Sequence, residues 1–68
     1  MWGTWGGAMR CRFKRGQHLG DALGYFQTQR TNEEWIVVLW DGDSIPKLHR
    51  ASLMMFKSPN ERHWSPNL

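Results

Sequence analysis

Asp41 and Asp43 flank Gly42 in the stretch WIVVLWDGDSIPKL (35–48). Two carboxylates this close can share acid–base work or hold a divalent cation. The spacing also has a plainer use. An Asp-Gly step between apolar runs is a strong turn signal, because Gly supplies the positive φ that a tight turn needs, and the turn is the preferred reading. A second constellation pairs Cys11 with His18 or His49, a thiol with candidate bases. Cys11 stands between Arg10 and Arg12, however, so alternation turns it inward with Met9 and Phe13. A buried thiol packs rather than reacts. One Cys cannot build a thiolate metal cluster, and His18, His49 and His63 fit no zinc spacing. No phosphate-binding Gly loop or nucleophile elbow occurs. No catalytic residue, metal or cofactor is therefore expected.

Binding chemistry is easier to build. Arg10, Arg12, Lys14 and Arg15 form one basic stripe, and Tyr25 or Phe26 on the next strand offers a stacking platform. Small barrels hold single-stranded nucleic acid with basic grooves and interleaved aromatics. The competing account is a solvated strand face with the aromatics in the core. The net charge of +3 is modest for a dedicated nucleic-acid binder. Tyr25, Trp35 and Trp40 are also candidates for an aromatic cage around a cation, although Trp40, at the end of its strand, is expected in the core.

The elements that must position these residues are short strands. MRCRFK (9–14) alternates apolar and basic residues, the period of a half-buried strand. RGQHLGD (15–21) reads as a loop. ALGYFQTQ (22–29) reads as a second strand, with Gly24 marking a bulge or a close backbone approach. RTNEE (30–34) is a polar turn and WIVVLW (35–40) a β-branched, aromatic strand. SIPKL (44–48) is a short fourth strand, with Pro46 at an edge or a strand end because it lacks an N–H. HRASLMMF (49–56) holds one 3-10 turn that feeds a short last strand. No window carries a helical stripe of useful length. The expected fold is all-β: a small SH3-like barrel of five short strands with one 3-10 turn, over residues 9–57. Residues 1–8, MWGTWGGA, read as a flexible arm, and 58–68 as an irregular tail.

With 68 residues the chain has room for one small core. A domain of this size buries only about 60% of the surface its unfolded chain exposes. One Cys excludes an internal disulfide, which leaves self-association or an aromatic-rich core as the reserve of stability. The third strand sharpens the point. If Ile36, Val38 and Trp40 fill the interior, then Trp35, Val37 and Leu39 lie outside it. An apolar outer patch usually marks an interface. Trp35, Val37, Leu39, Pro46 and Leu48 are the expected oligomer contacts, and Arg10, Arg12, Lys14, Arg15, Tyr25 and Trp35 the expected ligand contacts. No apolar run approaches the roughly 18 residues of a membrane span. The leader lacks the charged and apolar regions of a signal peptide, so a cytoplasmic location without a membrane partner is expected.

Two stretches, Gly20–Phe26 and Val38–Gly42, resemble strands of small SH3-like barrels of the Tudor and KOW kind. A longer similarity, from about Arg10 to Leu53, is to the plasmid- and integron-borne type II dihydrofolate reductases. It is carried by Arg10, Arg12 and Lys14 ahead of Gly16, by GDALGYFQT (20–28), by Thr31, Glu33, Trp35 and Val37, and by Ala51, Ser52 and Leu53. That family builds one pore in a homotetramer, lined by a Val-Gln-Ile-Tyr strand and helped by a lysine of the first strand. Here the matching stretch is Ile45-Pro46-Lys47-Leu48, and the lysine position falls on Phe13. None of the family's functional residues carries over. The resemblance implies a fold, self-association and a mobile-element origin such as a gene cassette or phage. The function expected is a non-catalytic, self-associating binding module for a protein or nucleic-acid partner. A reductase-like enzyme with altered pore chemistry, or a single-stranded nucleic-acid-binding protein, stands as the alternative.

Overall fold

The structure, a computed structural model, describes residues 9–67; the expected arm (1–8) and the last residue of the tail lie outside the described residues. Five strands follow in order: β1 (Met9–Phe13), β2 (Gly20–Gln27), β3 (Glu34–Trp40), β4 (Lys47–Arg50) and β5 (Met54–Lys57). A 3-10 turn, Ala51–Leu53, joins β4 to β5. All pairings are antiparallel, in one sheet of order β4-β3-β2-β1-β5. The fold is all-β, as the alternation of the sequence predicts. No helix among the described residues is long and apolar enough to cross a membrane.

The core follows from strand parity. In β1, Cys11 is fully buried, while Met9 and Phe13 on the same side pack against the core. In β3, Ile36, Val38 and Trp40 are buried. Ala22 of β2 and Met54 and Phe56 of β5 close the cluster, with Ala51 of the 3-10 turn. Burying each large aliphatic side chain contributes about 1.5–3 kcal/mol. Ile36 and Val38, at 0% exposure, therefore anchor the fold.

The connections differ in chemistry. Between β2 and β3, Thr28 and Glu33 close the loop, the Thr28 N–H donating to the Glu33 carbonyl at 2.9 Å. After β3, the Asp43 N–H donates to the Trp40 carbonyl at 2.9 Å, with Gly42 at φ +92°. A type II turn needs positive φ at that third position. Asp41-Gly42 is thus the turn its sequence predicts. The bulge expected near Gly24 is present as a register shift between Ala22 and Gly24, which pushes Leu23 out of the ladder.

Strand ends move by one or two residues from those read in the sequence, β1 ending at Phe13, β2 at Gln27 and β3 starting at Glu34, and two larger shifts have a physical cause. β4 covers Lys47–Arg50 rather than 44–48, because Pro46 has no N–H to give the ladder and the strand starts after it. β2 begins at Gly20 rather than at 22, pairing with Cys11 on one side and Trp40 on the other. Gly20 is therefore a close-approach residue and not loop punctuation. A Cβ there would stand 2.9 Å from both the Leu39 carbonyl oxygen and Val38 Cγ1. Beyond β5 the chain turns back, and Phe56 and Ser65 exchange two backbone hydrogen bonds of 2.7 and 2.8 Å.

Gly20→Ala is expected to destabilise the chain by about 1–3 kcal/mol, the usual cost of forcing a methyl group into a packed interior. Urea denaturation followed by tryptophan fluorescence measures this. An unchanged midpoint would show that β2 and β3 are not packed this closely.

Candidate functional site

The basic stripe of β1 faces outward as its alternation requires, but its members do different work. Arg10 Nη1 donates to Asp21 Oδ1 at 2.7 Å and to Asp41 Oδ1 at 3.1 Å, while Nη2 donates to Asp41 Oδ2 at 2.5 Å. One guanidinium so ties β1 to β2 and to the turn after β3. These contacts hold the Asp41 carboxyl below the usual carboxylate range, chiefly through the Arg10 hydrogen bond. Asp41 is committed as an anion, which suits a clamp and not a general acid. Arg12 turns to the loop after β1. Its Nη1 donates to the carbonyls of Phe13, Lys14 and Gly16 at 3.1–3.3 Å, and its guanidinium lies 4.9 Å from the Trp64 ring centre. Lys14 and Arg15 are exposed, and neither makes an ion pair among the described residues.

The aromatics expected beside this stripe divide between the two faces. Tyr25 sits opposite Ile36 on the inner face and packs against the core. Its hydroxyl donates to Glu34 Oε2 at 2.7 Å, and that bond, before any other cause, raises the phenol pKa. Lys14 and Tyr25 both line an open cleft of about 630 Å³, shared with Glu34, Phe56 and Asn67. Trp35 sits opposite Phe26 and Arg50 on the outer face, with the Arg50 guanidinium 5.5 Å from its ring centre. The cage of Tyr25, Trp35 and Trp40 therefore does not assemble. Positions 35 and 40 of one strand have opposite parity and face opposite ways.

The residues expected at an oligomer contact share the outer face more closely. Trp35, Val37 and Leu39 are half-buried, and Val37 sits opposite Leu48, which is 51% exposed. Phe26, opposite Trp35, extends this face along β2, and Leu23 at the bulge follows inward Ala22 and is exposed. Pro46 lies in the exposed loop just before β4. The Arg50–Glu33 pair (2.9 Å) and the Arg10–Asp21 pair bring charge of both signs to the same sheet.

One cluster was not expected. Trp40 is enclosed by Phe13 (ring centres 5.0 Å apart), His49 (5.5 Å) and His18 (5.7 Å). The Trp40 Nε1–H donates to His49 Nε2 at 3.1 Å, while His18 Nε2 bonds the Asp41 carbonyl oxygen at 3.1 Å. Both imidazoles are engaged away from the thiol, so neither activates Cys11. Burial pushes that thiol's pKa up to about 12. The signal for the cluster lay in β4. Once Leu48 pairs outward with Val37, its neighbour His49 must turn inward opposite Ile36. No group of three or more His, Cys, Asp or Glu among the described residues is arranged to hold a metal ion.

No family model matches the chain, and no curated protein or solved structure is similar enough to it to count as a match.

The Trp40–His49 bond requires an unprotonated Nε2. Burial, and then the nearby Lys47 charge, hold the His49 pKa below its ordinary 6.5. The unfolded chain therefore takes up this proton at a higher pH than the folded chain. The stability that His49 contributes is present above 6.5 and is lost as pH falls from there through the lower folded value. Urea midpoints measured between about pH 7.5 and about pH 5 should fall on acidification. His49→Gln keeps an acceptor for Trp40 without titrating, and its profile should be flatter. An equal slope in both proteins would remove His49 as the cause.

Proposed function

We propose that the chain is a non-catalytic binding module, a small SH3-like barrel that works as a self-associated pair and buries the outer face of β2–β3–β4 against a second copy. The observation that carries this reading is the orientation of β4. It turns Leu48 outward beside Val37, and its inward position goes to His49. A strand that spends its large aliphatic residue on the outside has a second apolar surface to cover. The five-strand order and the 3-10 turn before β5 support the barrel assignment. The commitment of Asp41 to Arg10 and the burial of Cys11 favour binding over catalysis.

A second copy fits this face because an apolar centre with rim charges of both signs is self-complementary. Arg50 and Glu33 lie at its margin, and the patch has the general anatomy of an interface. Contact is face to face. The β4 edge is guarded by Pro46, Lys47 and Arg50, residues that discourage edge-to-edge strand pairing. Magnitudes set the strength. Leu23, Phe26 and Leu48 are 39–51% exposed. Covering them returns about half of the 1.5–3 kcal/mol that each full burial gives, so two copies together gain about 6 kcal/mol. Half-buried Trp35 and Val37 add to this. Association costs at least about 4 kcal/mol. The net is about 4 kcal/mol at most, so the expected pair is weak, with a dissociation constant on the order of 1 mM.

Sedimentation equilibrium from about 5 µM to about 1 mM should show the mass rising above that of one chain. Leu48→Glu, at a position already half exposed, should hold the chain at monomer mass without loss of fold. A wild-type chain that stays monomeric at the upper limit contradicts the proposal, and so does a Leu48→Glu chain that associates equally well.

A further inference from the structure

The loop that leaves β1 separates two open hollows. One, of about 620 Å³, is lined by Phe13, Lys14, Arg15, Gly16 and Leu53. The other, of about 600 Å³, is lined by the same loop with Arg12, Leu19 and Trp64. Among the described residues, neither lining contains a carboxylate. This is local and not a general property of the surface, since Arg10 and Arg50 elsewhere are paired with Asp21, Asp41 and Glu33. Lys14 and Arg15 thus form a cationic ridge, with Phe13 and Leu53 on one side and Trp64 on the other.

The ridge is held in place from beneath. The Lys14 N–H donates to the Leu53 carbonyl at 2.9 Å and the Gly16 N–H to the Phe13 carbonyl at 3.1 Å. Arg12 draws three carbonyls of the same segment to one nitrogen and rests its guanidinium over Trp64. Its charge orders the loop and orients the ring together. Gly16 sits so close to Phe13 that a Cβ would be 3.2 Å from the Phe13 Cβ.

We infer that this ridge and its two hollows form a binding site for single-stranded nucleic acid. Phosphate lies across Lys14 and Arg15, and successive bases enter the hollows against Phe13 and Trp64. The complementarity is twofold: cations that make no ion pair among the described residues meet an anionic backbone, and ring-lined hollows on either side meet planar apolar groups joined through it. Base–aromatic stacking of this kind is tolerant of sequence. A duplex keeps its bases stacked inside and offers only its backbone, so it uses the ridge without the hollows. An acidic polypeptide would likewise use the charge alone. The site lies on the β1–β2 loop and the C-terminal segment, apart from the outer residues of β3 and β4, and it does not depend on self-association.

The test is fluorescence anisotropy of the full chain with a labelled oligothymidine of about 10 nucleotides in low salt. Saturable binding is expected, with tryptophan quenching and an affinity that falls as salt is raised. Lys14→Ala with Arg15→Ala should weaken binding at least about ten-fold and reduce the salt slope by about 1.4, two phosphate contacts at about 0.7 each. A charge-matched control, Arg30→Ala with Lys47→Ala, should change it less than about three-fold, by the weak effect of distant screened charge. Trp64→Leu should cost about five-fold or more, and Leu53→Glu, which sets a carboxylate in the other hollow without touching Trp64, should do the same. Circular dichroism checks that each variant is folded. The inference is overturned by no binding in low salt, by equal loss in the charge-matched control, by full affinity in both hollow variants, or by equal competition from polyglutamate or duplex DNA.

Discussion

One constraint governs this molecule: it has a single interior and a third strand that is apolar on both sides. Ile36, Val38 and Trp40 take the interior. Trp35, Val37 and Leu39 must then lie on a face that five strands cannot enclose. Neighbouring elements cover them only in part. Arg50 lies over the Trp35 ring, and Leu48 stands beside Val37 while remaining half exposed. Leu23, next to inward Ala22 on β2, is exposed as well. A chain without a disulfide to compensate has reason to use that surface in association.

Charge is arranged with similar economy. Arg10 neutralises two carboxylates and joins three parts of the chain, so the first residue of the basic stripe acts as a fastener. Arg12 spends its hydrogen bonds on the loop it precedes and its flat face on Trp64. Lys14 and Arg15, in the loop, are exposed and make no ion pair among the described residues. The aromatic cluster around Trp40 has a comparable division of labour. His18 reaches back to the turn carbonyl of Asp41, and His49 accepts the indole N–H. The ring that closes the core therefore has a polar partner, as a buried indole usually does.

Much of the fold was legible because period-two alternation is a direct report of strand faces. The parity of MRCRF placed Cys11 inside, and that of EWIVVLW separated Ile36, Val38 and Trp40 from Trp35, Val37 and Leu39. Asp41-Gly42 declared its turn through the φ that Gly42 adopts. What parity could not give was partnership across strands. The pairing of Arg10 with Asp21 and Asp41 spans 11 and 31 residues, and no local pattern reports it. Trp64 reached Arg12 only because the segment after β5 folds back to pair Ser65 with Phe56. The face of His49 depended on a β4 register that starts after Pro46, three residues later than the apolar content of SIPKL implied. The aromatics expected beside the basic stripe separate for a related reason. Tyr25 and Trp35 look adjacent to the stripe in sequence terms, but one packs inward and the other belongs to the outer face of β3.

The central claim is that the outer residues of β3 and β4 lie against their own counterparts in a second copy. The most direct measurement is an isotope-filtered NOE experiment on a concentrated equal mixture of labelled and unlabelled chains. The account predicts intermolecular cross-peaks to the methyl groups of Val37 and Leu48. A spectrum without such cross-peaks, from a chain tumbling as a single copy at that concentration, would contradict it.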